Sequence, residues 1–225
     1  MTGPKLVFDI ETVGVEFDTL DEKSQEYLMR FAQDQAQKEE VKDGLSFSPL
    51  TGEVIAIGIL NPDTNKGAVY FCADSKVKEF EKNNAQFIPC STEKEVLQNF
   101  WQTISHYDQF ITFNGRGFDC PYLMIRSAIL KVRPTKNLMP NRYYDSHIDL
   151  LDRLMFFGAV RRRMNLHMWC QAFDIESPKS KGITGYDVAD LYKNKKYKEI
   201  AEYCFDDIKA TKELYEYWEK YINIK

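Results

Sequence analysis

The chain has 225 residues, 44% hydrophobic and 28% charged, which excludes an intrinsically disordered protein and allows one domain with a substantial core. Its formal net charge of −4 excludes a generic nucleic-acid coat, which would be basic, but not an enzyme that meets nucleic acid at one metal-assisted site. Five scattered cysteines with no CxxC pair exclude a zinc ribbon or a disulfide framework, and no apolar run reaches transmembrane length. With no signal-peptide core at the N-terminus, a reduced, cytoplasmic setting without membrane contact is the expectation.

The first predicted element is the strand "KLVFDIET". Asp9 and Glu11 stand two apart at its end, so both side chains point to one face. Like charges in a half-buried place repel and lose hydration, and a divalent cation or a proton held by one of them would compensate. A strand end frayed into solvent would need neither. Residues Asp18 to Asp43 are polar, with Leu20, Tyr27, Leu28, Phe31 and Val41 at helical spacing, and read as an exposed helical insertion closed by Gly44. "GEVIAIGIL" and "GAVYFCA" are strands joined by a hairpin at "NPDTNKG". "STEKEVLQNFWQTI" opens on a Thr-x-x-Glu capping signature and continues as an amphipathic helix. "QFITFN" is a fourth strand, followed by the helix "GRGFDCPYLMIRSAIL", entered through glycines. "YYDSHIDLLDRL" reads as a fifth strand or strand-like turn, "MNLHMWCQAF" as a short helix, and Lys195 to Tyr221 as a long one. Hairpin strands followed by alternating strands and helices predict an α/β fold with a mixed five-stranded sheet flanked by helices, one domain over residues 1–225.

Two later places supply further acids. Asp119 falls in the first turn after the fourth strand, where the helix dipole alone favours an acid. That position also borders the crevice where open α/β sheets bind ligands, with Asn114 and Phe118 facing it. In the terminal helix, Ile200, Cys204, Ile208, Thr211, Tyr215 and Trp218 share one buried arc. Asp207 falls about 50° from the arc's centre and Asp206 about 150° away, on a period of 100° per residue. Asp206 is therefore expected in solvent, and Asp207 at the buried margin beside Tyr203. Four carboxylates at three places can line one crevice and hold two hard cations through oxygen.

"FDIET", "NGRGFD" and "YCFDD" resemble the three motifs of the DEDD 3′–5′ exonuclease superfamily, and the Tyr-x-x-x-Asp spacing of Tyr203 and Asp207 resembles its tyrosine-bearing branch. More narrowly, the chain resembles the stand-alone predicted exonucleases related to the proofreading domain of family B DNA polymerases. "LSFSPLTGEVIAIGI", "SHIDLLD" and "DVADLYKNKKYKEIAEYC" extend the likeness over nearly the whole chain. The resemblance implies a ribonuclease H-like fold and metal-dependent release of nucleoside 5′-monophosphates from a 3′ end. It implies two magnesium or manganese ions: Asp9 bridging both, Glu11 and Asp207 on the one that carries the attacking water, and Asp119 helping to hold the second. Tyr203 would orient or deprotonate that water. Ile10, Thr12, Asn114 and Phe118 would contact the terminal nucleotide of a single-stranded DNA, or of RNA, with a polymerase or repair protein as partner. The insertion at 18–43 is longer than this pattern expects.

"RRRM" (Arg161, Arg162 and Arg163) and "KNKKYK" (Lys193 to Lys198) are the densest basic runs, and the arginines are the first candidates for backbone phosphate contacts. Solvated surface is the simpler account of both. Asp145, His147 and Asp149 are set aside as metal ligands, because an oxygen site needs no histidine and Asp149 can tie a strand end. Met164, Met168 and Trp169 are expected in the core. The rival readings are an exoribonuclease, a silent nucleic-acid-binding relic, and an aspartate-based phosphatase, whose motif would place aspartate where Glu11 stands.

Overall fold

In the computed structural model, which describes residues 3–177, 185 and 187–224, "KLVFDIETVG" forms β1, Lys5–Gly14. Leu6, Val7 and Phe8 are all buried, as a strand covered on both faces requires. It pairs antiparallel with β2, Gly52–Asn61, and β2 in turn with β3, Lys66–Cys72, so the expected hairpin is present. Two unexpected strands follow, β4 (Phe80–Lys82) and β5 (Ala85–Cys90). Asn83 and Asn84, at φ 52° and 62°, make the tight turn between them. β6 (Gln109–Thr112) and β7 (His147–Asp149) run parallel to β1 on its other side. The sheet thus has seven strands rather than five, in the order β4-β5-β3-β2-β1-β6-β7. The shortfall has a local cause: β4 is only three residues long and β5 carries Pro89, so neither shows a sustained alternation.

Eight α-helices lie among the described residues: α1 (Glu22–Met29), α2 (Gln35–Asp43), α3 (Glu93–Ile104), α4 (Asp119–Ile129), α5 (Leu150–Leu154), α6 (Leu166–Ala172), α7 (Asp187–Lys193) and α8 (Tyr197–Tyr221). α7 was not expected as a separate helix. Thr92 caps α3 by accepting the Glu95 N–H at 3.2 Å, as its signature predicts. Phe8 packs on Phe100 of α3, whereas the carboxylate of its neighbour Asp9 comes within 4.8 Å of Cys204 Sγ on α8, so the two helices cover opposite faces of the sheet. α1 and α2 bury none of their side chains, in keeping with an exposed insertion. Gly44 closes α2 with an ordinary φ of −76°, donating its N–H to the Glu40 carbonyl. No helix among the described residues is long and apolar enough to cross a membrane.

Candidate active site

The site begins where β1 outruns β6. Their pairing ends at Val7 and Ile111, so the next turn of β1 borders an opening at the C-terminal end of the parallel strands. There the Ile10 N–H is taken by Asp119 Oδ1 at 3.1 Å, across 109 residues of sequence. On its other side β1 shifts register against β2 between Glu11 and Thr12. Beside the shift the Val54 N–H bonds Glu93 Oε1 at 2.9 Å, and Arg126 Nε donates to the same oxygen at 2.8 Å. Bulges of this kind end or re-aim a strand beside a site.

Asp119 is delivered by a loop that Asp149 holds rigid. Asp149 Oδ1 accepts the N–H groups of Asn114 and Leu151, both at 3.0 Å, and Oδ2 accepts that of Arg116 at 2.9 Å. Asn114 sits at φ 62°, where asparagine is tolerated, and a Cβ on Gly115 would lie 2.4 Å from Thr112 Oγ1. His147 is bonded to Thr112 Oγ1 at 2.9 Å, and burial, then Arg116, pushes its imidazole down to about 3. The "DSHID" segment therefore supports the loop rather than the chemistry.

The third motif arrives on α8 because Gly58, the cross-strand partner of Asp9, has no side chain. A Cβ there would lie 3.0 Å from Cys204 Sγ and 3.4 Å from the Cys204 carbonyl oxygen. The helix therefore lies close on the sheet, and Cys204 Sγ donates to the Asp9 carbonyl at 3.8 Å. Tyr203 and Asp207 flank Cys204 on the side of the opening. Asp206 departs from expectation. Its side chain is only 14% exposed, and it pairs with Lys209 at 3.5 Å.

Burial, then the charges of Asp119, Asp207 and Glu11, holds Asp9 well above the usual carboxylate range. Burial, then Asp207 and Asp119, does the same to Glu11. Asp119 is pushed up to about 7 by burial, against the hydrogen bonds it accepts. Burial, then Asp207, Glu11 and Asp9, pushes the Tyr203 phenol far upward, so it stays protonated. Among the described residues no lysine or arginine forms an ion pair with Asp9, Glu11 or Asp119. Buried carboxylates that repel one another are stabilised by a hard divalent cation, which oxygen donors suit. Asp9, Glu11 and Cys204 each offer a ligand atom within 4.8 Å of the others. Burial, then Glu11, Asp9 and Asp207, keeps the Cys204 thiol protonated, so the carboxylates alone fit such an ion.

A cleft of about 480 Å³ brings together Asp9, Asn114, Phe118, Asp119, Arg163, Tyr203 and Asp207. Glu11 lies behind it, 7% exposed. Four expected contacts do not line this cleft: the Ile10 side chain is buried, the Thr12 hydroxyl is spent on the Ser46 carbonyl at 2.9 Å, and Arg161 and Arg162 stand in solvent beside it. Arg163 reaches in and donates to Asn114 Oδ1 at 3.0 Å. Phe113, Leu151 and residues 164–166 also line the cleft. Sequence reading missed most of these, although Met164 was noted and assigned to the core. Met168 is likewise not core, at 48% exposure. The insertion does not line the cleft, but the turn after it brings the Phe47 ring to 6.5 Å from that of Phe118.

A family model described as "Predicted 3'-5' exonuclease related to the exonuclease domain of PolB" matches residues 53–221. A DNA polymerase of Thermococcus litoralis is 30% identical over 142 residues, covering 55% of this chain and 8% of the polymerase. DNA polymerase 1 of Pyrococcus abyssi is 29% identical over 138 residues, covering 55% of this chain and 18% of that protein. The chain thus spans less than a fifth of the length of these relatives. The family B DNA polymerase of Pyrobaculum calidifontis superposes with a TM-score of 0.60 at 19% identity, over 97% of this chain and 25% of that one. The shared fold is ribonuclease H-like.

Proposed function

Because the chain belongs to the family of predicted 3′–5′ exonucleases related to the exonuclease domain of PolB, we propose that it is a DEDDy-type 3′–5′ exonuclease acting on single-stranded DNA. The observation that carries this reading is the convergence of Asp9, Asp119 and Asp207 with Tyr203 on one cleft, backed by the buried Glu11. Two divalent cations, when bound, would supply activation of water and stabilisation of the leaving 3′ oxygen. Asp9, Glu11, Asp119 and Asp207 would hold them. Tyr203, its phenol protonated, orients the nucleophile by hydrogen bonding rather than abstracting its proton. Phe118 and Asn114 hold the terminal nucleotide, and Arg163 meets its phosphate beside them. Arg161 and Arg162 take the preceding phosphates. A complete carboxylate set argues against a silent relic, and glutamate at position 11 against a phosphatase.

The test is incubation with a 5′-labelled oligonucleotide and magnesium or manganese. A ladder shortening by single nucleotides, with nucleoside 5′-monophosphates released, is the expected result. Full activity in excess chelator, or on a closed circle without ends, would overturn it.

A further inference from the structure

The aromatic residues of one surface beside the cleft have no part in the proposed function. They stand in and against the turn between two cleft-lining residues, Leu151 and Arg163, which also carries Arg161 and Arg162. In that turn Phe156, Phe157 and Gly158 all have positive φ, at 47°, 55° and 108°. Glycine takes such a conformation freely, but a bulky aromatic side chain rarely does, and two in succession store strain. The strained turn has a consequence. Phe157 is locked inward, its ring edge-on to Tyr143 at 4.8 Å and with the Arg153 guanidinium over it at 5.2 Å. Phe156 is thrown outward and is 59% exposed. The Tyr143 contact also brings a neighbouring segment to the turn, in which Tyr143 and Tyr144 are each 63% exposed.

Charge joins the rings. Arg161 and Arg162 follow in the same loop, exposed, and no carboxylate among the described residues pairs with them. Open aromatic faces beside unpaired arginines, in a chain of net charge −4, make a local surface for unstacked bases and their phosphates. It is continuous with the cleft through Arg163, which reaches Asn114. We infer that Phe156, with Tyr143 and Tyr144, forms a stacking platform for the bases of a single strand upstream of its 3′ terminal nucleotide. The inference rests on the exonuclease reading for polarity, but not for binding. A duplex, whose bases are already stacked and paired, would gain nothing from these rings.

The experiment measures binding in chelator, where hydrolysis is off, using oligothymidylates with 2-aminopurine placed at successive positions from the 3′ end. Stacking quenches the fluorophore, so a quench confined to positions upstream of the terminus is expected with the native chain. Phe156→Gly removes the ring and relaxes the positive φ, so its melting temperature should be unchanged or higher. Its affinity should fall about tenfold, the scale of one lost stacking contact, and the upstream quench should shrink. Phe156→Trp, which keeps an aromatic face, should restore both. Native affinity in Phe156→Gly, or no upstream quench with the native chain, would overturn the platform. A lower melting temperature for Phe156→Gly would overturn it too, because the ring would then be packing. If the quench appears as expected but no oligonucleotide is shortened in manganese, the platform stands and the exonuclease reading falls.

Discussion

Tyr203 and Asp119 carry the sharpest consequences of single side chains. Tyr203→Phe removes one hydroxyl and keeps a ring that is 8% exposed, so folding and affinity should change little. If the hydroxyl orients the nucleophile, single-turnover rates should fall by about 10²-fold or more. Asp207→Ala should be worse. Asp206→Ala should be nearly silent, since Asp206 does not line the cleft and is tied to Lys209. Normal turnover by Tyr203→Phe would make the ring a packing residue. Asp119 gives a pH signature without metal. Its pKa is about 7 in the fold, against an ordinary carboxylate value of about 3.9 in the unfolded chain. Between those values the folded state binds the extra proton, so stability falls as pH rises toward and through 7. His147 acts oppositely, with a folded value of about 3 and an unfolded value near 6.5. Its contribution is lost only as pH falls below about 6.5. Metal-free melting temperatures should therefore drop between about pH 6.5 and 8, and Asp119→Asn should lessen the drop. Asparagine can still accept the Ile10 N–H, so the bond to β1 survives the substitution. An identical slope in the variant would refute the assignment.

Elements differ in how much of the fold depends on them. α1 and α2 are capped by Asp21 and Asp34, yet contribute no buried side chain. Replacing residues 22–43 by a short glycine-serine linker should leave one cooperative transition and shift the melting temperature by less than about 4 °C. Loss of cooperative melting would show that the insertion braces the β1 end of the sheet. α8 is the opposite case, because its buried face lies directly on Gly58 and carries the third motif. Its periodicity was legible in the sequence because Ile200, Cys204, Ile208, Thr211, Tyr215 and Trp218 recur on one face at the helical period, although the helix also buries Phe205 and Leu214 to either side of that arc. β4 and β5 were not legible, because β4 has only three residues and Pro89 interrupts the alternation of β5. The Asn-Asn turn between them was the available signal.

For the whole molecule, an acidic chain must recruit a polyanion through a local basic surface rather than through its net field. Replacing Arg161, Arg162 and Arg163 with alanine should weaken single-strand binding and reduce the slope of log affinity against log salt by about 1 to 2. An unchanged slope would return them to ordinary solvated surface. The acids of the site and their motif order were readable from the sequence alone, since residue identity and short spacing fix what chemistry is on offer. So were the capping of α3 and the buried arc of α8, because caps and periodicity are local. Convergence on one crevice was expected from those places, but the contacts that bring it about were not readable. Asp9 and Asp119 meet only because β1 extends past β6 and α4 begins at that gap. Asp207 meets them only because Gly58 leaves room for Cys204. The tertiary structure also made Asp149 a brace and placed Glu11 behind the cleft, while turning Thr12 to Ser46 and Phe156 to solvent. Those outcomes depend on strand register and helix approach, which join residues far apart in the chain, and no local pattern records which distant backbone will be close enough to touch.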